Sequence, residues 1–218
     1  MKKLLLLPII FIGFLGILLL ISLGLGKYTA NYKIEHFKDK KRPETEVIYN
    51  YYTFPGATKQ EINKNMVKAI SSFINPEAYR VPGMQGDTAA QLEGYVDPSY
   101  DSAMTKKGCR IVEVPFVSKV TYTMPQWEQP KNVAPSLVAD WENFYTALKT
   151  HEKGHADIEI KKFDAVYDVY KNAPTTKTCE ELDAWLQAEL NKTRKQIEEE
   201  NKQYEIDTRH GELQGARL

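Results

Sequence analysis

Three residues carry the chemistry this sequence offers: His151, Glu152 and His155, in the stretch THEKGHADI (150–158). Histidines four apart on a helix stand one turn above each other, so both rings reach one ion. The glutamate after the first histidine is turned about 100° around the helix. It is poorly placed to share that ion and well placed to reach a water beside it. Zinc acidifies such a water toward neutrality; a carboxylate alongside takes the proton, the oxygen attacks a carbonyl, and the acid then serves the leaving amine. The pattern predicts one Zn²⁺ per chain, with His151 and His155 as ligands and Glu152 as general base. The plainer alternative is a pair of helix histidines satisfied by ordinary hydrogen bonds.

A catalytic zinc needs a third protein ligand and an open position. The extended motif that adds a glycine and a third histidine is excluded, because Ile158 and Lys161 stand at those places. Glu159 lies one turn beyond His155, but three successive turns would have to converge on one ion. Glu181 or Glu189 on the next helix, His36, and His210 near the C-terminus are the other candidates.

Two long helices must position these groups. Leu137, Trp141, Phe144, Leu148, His151, His155 and Ile158 recur at steps of four and three, so the histidines belong to the buried seam of a helix. Ser136 caps it, and Pro174 ends it near Asn172. Polar groups in such a seam are costly unless something charged sits among them. Gly154 weakens the helix by roughly 1 kcal/mol and leaves room for a substrate or another backbone. A second helix starts at the capping box Thr178–Glu181, with Leu182, Leu186, Leu190, Ile197 and Tyr204 on its inner face. The six-residue link makes the pair an αα-hairpin. A straight second helix would carry His210 about 15 Å past the histidine pair, so the chain must turn back, and Asp207, Thr208 and Gly211 suit that turn.

Upstream, TEVIYNYYTF alternates and reads as a strand with Val47, Tyr49 and Tyr51 on one face. Thr58 and Glu61 open a short helix bearing Ile62, Met66, Ile70 and Phe73, ending near Asn75-Pro76. AAQLEGYV reads as strand, as does CRIVEVPFVSKVTYTM, where Pro115 implies an edge, a bulge or two strands. PQWEQPKNVAP reads as a loop. The fold class is α+β: a small antiparallel sheet packed on a long helical hairpin, preceded by an N-terminal transmembrane or signal helix.

Between Lys3 and Lys27 no charge interrupts the chain, long enough to span a bilayer as a helix. We read 1–26 as a signal anchor or signal peptide, 27–44 as a charged linker and 45–218 as the functional domain. Lys2 and Lys3 mark a cytoplasmic N-terminus, although the lysines and arginines of Lys27–Arg42 argue the opposite sense. The expected location is the extracytoplasmic (periplasmic) side of the cell envelope, anchored by the N-terminal helix or secreted. Cys109 and Cys179 are the only cysteines, without metal-knuckle spacing. In an oxidising compartment they pair, and closing so long a loop is worth about 4 kcal/mol. Acidic and basic residues balance at 29 each, so no nucleic-acid partner is expected.

The segments YYTFPGAT, CRIVEV…MPQW, DWENFYTALKTHEKGHADI and YEIDTRHGELQGARL together resemble a family of bacterial predicted secreted zinc-dependent proteases, catalogued as a domain of unknown function. The resemblance covers about residues 47–218. Trp141 and Asp157 fit its motif around the histidine pair, and Tyr204, Thr208, His210 and Gly211 fit its C-terminal element. Glu205 stands where aspartate is expected, and Ala156 where a larger residue is usual. The resemblance implies His210 as third zinc ligand. Tyr204 follows as an oxyanion or substrate hydrogen-bond donor, or as a residue closing the seam. The expected activity is zinc-dependent hydrolysis of a peptide or protein substrate. The rivals are a non-catalytic, zinc-stabilised envelope binding protein and a zinc amidase acting on cell-wall peptide.

Overall fold

A computed structural model describes residue 37 and residues 39–73, 90–97 and 99–218 of the 218-residue chain. The expected anchor over 1–26 and His36 lie outside the described residues. No described helix is long and apolar enough to cross a membrane. The described elements run β1 (Glu46–Pro55), α1 (Lys59–Phe73), β2 (Gln91–Asp97), β3 (Asp101–Thr105), β4 (Gly108–Glu113), β5 (Val117–Glu128), α2 (Pro135–Lys171), α3 (Cys179–Thr208) and a 3₁₀ turn (Glu212–Gln214). The α+β class holds. By their contacts the residues form two units, and α2 and α3 contribute to both.

The larger unit comprises Pro43–Asp97, Val117–Val166 and Asn191–Leu218. Its sheet has the order β1-β5-β2, with β1 parallel and β2 antiparallel to β5. This corrects the expected antiparallel sheet to a mixed one. Alternation of side chains reports a strand and says nothing of its direction; here the chain returns through α1 before β5 forms, as a parallel pair requires. α1 starts from its capping box, where Thr58 Oγ1 accepts from Glu61 N at 3.2 Å and Glu61 Oε2 accepts from Ala57 N at 2.8 Å. It buries Ile62, Met66 and Ile70.

The expected loop from Pro125 is instead the end of β5, which runs to Glu128. Pro125 pairs with Tyr52 of β1, whereas the pairing of β2 with β5 stops at Thr123. At Pro125 the strand therefore has one neighbour, and the missing N–H costs no ladder bond on the other side. Pro115 separates β4 from β5, so that segment is two strands. α2 lies across this sheet. Phe54 and Trp127 each pack on Trp141 with ring centroids 5.8 Å apart, and a Cβ on Gly94 of β2 would stand 2.2 Å from Glu159 Oε2. α2 opens with Pro135, where the missing N–H is harmless, and Ser136 lies inside the first turn rather than capping it.

The smaller unit holds Pro98–Phe116 and Tyr167–Leu190 with the described residues up to Arg42. β3 and β4 form an antiparallel hairpin. Cys109 exchanges backbone hydrogen bonds with Thr176 at 2.8 and 3.1 Å and is disulfide-bonded to Cys179, as expected. Gly108, at φ 120°, allows this: a Cβ there would stand 2.1 Å from the Thr176 carbonyl. The Thr178–Glu181 capping box forms at the start of α3, and Leu182 and Leu186 are fully buried.

Candidate metal centre

The site lies within the larger unit, where α2 meets the C-terminal part of α3. His151 is 5% exposed and His155 half-buried, as the seam read from the sequence requires, and Glu152, outside that seam, is also only 5% exposed. Across from them α3 presents Asn201, Tyr204 and Glu205. Glu205 occupies the centre. Its Oε1 lies 3.0 Å from His155 Nε2, and its Oε2 lies 3.6 Å from His151 Nε2 and 3.0 Å from His210 Nδ1. Ligand atoms of His151, His155 and Glu205 all fall within 4.8 Å of one another.

Each α2 histidine is oriented from behind. The Gln214 amide donates to Tyr204 Oη at 3.1 Å, which turns its carbonyl oxygen toward His151 Nδ1 at 2.9 Å. Tyr204 in turn donates to the His151 backbone carbonyl at 3.0 Å, and the loop closes. Asn201 donates to Glu159 Oε1 at 3.3 Å and presents its own oxygen to His155 Nδ1 at 3.1 Å. Both Nδ1 atoms therefore carry the proton, and both Nε2 atoms turn toward Glu205. Tyr204 also stacks on His151, with centroids 5.3 Å apart and planes 14° from parallel. A Cβ on Gly154 would stand 2.0 Å from the Tyr204 hydroxyl, so the helix glycine is room for this ring.

The turn expected before His210 forms, with Gly211 in it as expected, but Asp207 and Thr208 remain in α3 and Arg209 and His210 make the turn instead. α3 stops at Thr208, and Arg209, His210 and Gly211 take positive φ of 49°, 55° and 81°. Left-handed backbone costs non-glycine residues roughly 1–2 kcal/mol each. The strain brings His210 back onto Glu205 and lays Gln214 beside His151. A Cβ on Gly211 would stand 3.1 Å from the His151 ring. The His210 side chain stays 67% exposed.

The electrostatics follow from burial. Burial pushes the Glu152 carboxyl up to about 7, with the Glu205 charge adding to it and His155 opposing it. Burial alone would lower His155, but its bonds to Glu205 and Asn201 and the charges of Glu205 and Glu152 outweigh it and raise it. For His151 burial wins over Gln214 and Glu205, and its pKa falls. Burial works to raise Glu205, yet the hydrogen bond from His155 and the charges of the three imidazoles hold it below the usual carboxylate range.

The donor set could hold a metal ion. Two imidazole Nε2 atoms and a carboxylate oxygen converge, and Glu205 Oε2 is buried without an aligned hydrogen bond, although His210 and His151 stand near it. A buried, under-satisfied carboxylate oxygen among imidazoles is where a cation would lower the energy most. His155 holding a proton against Glu205 is the metal-free counterpart of that arrangement.

The sequence thus placed His151, Glu152, His155, His210 and Tyr204 in one site, and the structure brings all five together. It did not single out Glu205, Asn201 or Gln214. The one available signal for Glu205 was its acidic position in the C-terminal element. Glu159 reaches the site only through Asn201, and Glu181 caps α3 at its far end. Asp157 pairs with Lys153 at the surface, away from the cluster.

No curated protein and no solved structure matches the chain. The family described as "Bacterial protein of unknown function (DUF922)" matches residues 49–211, three quarters of the chain, and spans every centre residue except Gln214. The chain belongs to this family of bacterial proteins of unknown function.

Proposed function

We propose that the chain is a zinc-dependent metallopeptidase of the cell envelope. The observation that carries this reading is the convergence of His151 Nε2, His155 Nε2 and Glu205 around a partly buried centre, with the buried acid Glu152 next in the chain. His151, His155 and Glu205 would hold the ion. Zinc bound there would acidify water and polarise a carbonyl. Glu152, set near neutrality by burial, takes a proton from the attacking water and delivers it to the leaving amine. Gln214 and Asn201 hold the imidazoles in the tautomer that leaves Nε2 free. Tyr204 fixes His151 through its backbone and ring; its hydroxyl is engaged there, which favours positioning over oxyanion binding. The disulfide supports an oxidising, extracytoplasmic location.

The 3.0 Å contact of His210 with Glu205 supports a second donor set in which His210 joins the ligands. If all four residues bound, the site would be closed, and the protein would be a non-catalytic zinc-stapled binding module. A zinc amidase acting on cell-wall peptide shares the chemistry of the first reading and differs only in substrate.

Zinc per chain and peptide hydrolysis, measured on wild type, Glu152→Gln, Glu205→Ala and His210→Ala, separate these readings. We expect about one zinc per chain in wild type and in Glu152→Gln, with hydrolysis reduced about 10²–10⁴-fold in the latter. Glu205→Ala should lose the metal. Metal lost in His210→Ala and kept in Glu205→Ala would select the histidine set. A well-folded wild type that takes up no zinc would end the peptidase reading.

A further inference from the structure

In the same unit as the metal centre, Tyr51, Pro125, Gln126, Trp127, Trp141 and Tyr145 line an open cavity of about 290 Å³. Four of its six walls are aromatic and none is charged. The volume falls at the lower edge of small-molecule sites, so it suits one large side chain rather than a whole cofactor. Its rim is open: Tyr51 is 50% exposed on β1, an edge strand of the sheet.

The helix ties this cavity to the catalytic group. Trp141, Tyr145, Leu148, Glu152 and His155 follow at steps of four, three, four and three, so they share one face of α2. Tyr145 precedes Glu152 by two turns, about 10 Å along the axis at 1.5 Å per residue. An extended peptide covers that distance in about three residues.

We propose that this cavity is a specificity pocket that takes an aromatic side chain of an extended peptide substrate, about three residues from the bond cut. The inference rests on the peptidase reading for the scissile bond, and its test is chosen to be separable from it. The rings of Trp141, Tyr145 and Trp127 offer edge-to-face contact to a guest ring, and Gln126 offers a polar group for a phenol. An aliphatic or charged side chain gains less from such walls.

The experiment uses the full chain carrying Glu152→Gln and loaded with zinc, so that bound peptide is not cut. Blocked alanine hexapeptides with one phenylalanine moved through the six positions are titrated by tryptophan fluorescence against the all-alanine peptide. One phenylalanine position should bind about 10-fold or more tighter. Tyr51→Ala and Tyr145→Ala, each added to Glu152→Gln, should erase that preference with zinc per chain unchanged. Tyr51 is half exposed, so its variant carries little risk to the fold. Equal binding at all positions, or a preference that survives both variants, overturns the pocket. Tighter binding of a trimethyllysine peptide than of any phenylalanine peptide also overturns it and makes the cavity a cation cage. Hydrolysis of the same peptides by wild type reads the other question. Cleavage without preference sinks the pocket alone, and preference without cleavage sinks the peptidase reading alone.

Discussion

Glu152 keeps its proton to about pH 7 in the metal-free site because the carboxylate would have to lose water there. Between about 4.5 and 7 the folded chain holds a proton that the unfolded chain has released, so raising pH across that window favours unfolding. His155 acts in the same sense: its raised pKa contributes stability that is complete below 6.5 and is lost as pH rises through its folded value. His151, lowered, acts in the opposite sense. The urea midpoint of the chelated protein should fall from pH 5 to 7.5, and Glu152→Gln should flatten that slope. An unchanged slope in the variant would mean that Glu152 is not the group that titrates. Gly154 gives a second residue-scale prediction. In an ordinary helix Gly→Ala gains up to about 1 kcal/mol. Here the added methyl meets the Tyr204 ring, so Gly154→Ala should instead cost about 1–3 kcal/mol by chemical denaturation and weaken zinc binding. The motif was legible from residue types and spacing, whereas the demand for glycine was not, because Tyr204 lies fifty residues away in the chain.

At the scale of elements, α2 supplies the histidine pair and Glu152, α3 supplies Asn201, Tyr204 and Glu205, and the left-handed turn returns His210 and Gln214. An antiparallel pairing counted from the helix ends at Asn172 and Cys179 sets residues 196–200 level with the histidines. The contacts fall one turn further on, at Asn201 and Tyr204. In the link between the helices, Thr176 is bound to Cys109 rather than folded into a tight turn. That small offset is why Glu205 was missed: helix lengths add errors along the chain, and one turn changes which side chain faces the seam. Gln214→Ala should leave the fold intact and weaken zinc about 10–100-fold, because it frees His151 to rotate and to change tautomer. Competition with a chromophoric chelator measures this directly. Unchanged affinity would mean that Tyr204 alone holds the ring.

For the molecule as a whole, a ligand that binds only the folded state adds stability by mass action. At a free zinc concentration about 100-fold above its dissociation constant the gain is about 2.7 kcal/mol. The melting temperature should rise with zinc and fall back on chelation. It should rise less at pH 5 than at pH 7, because protons compete for His155, whose pKa is raised. A melting temperature indifferent to zinc in the wild type would argue against the site.

The sequence by itself determined the helix seam with its two histidines, the acid next to the first of them, both capping boxes, an irregularity at Pro115, the partnership of the two cysteines and the need for a turn before His210. These follow from local rules: periodicity, propensity and capping act within a few residues. Only the tertiary structure decided that β1 and β5 run parallel, that β5 continues through Pro125 to Glu128, and that Glu205 stands among the imidazoles with Gln214 and Asn201 behind them. Strand direction and the meeting of two helix faces depend on how distant segments pack, and packing is a property of surfaces that no single stretch of chain contains.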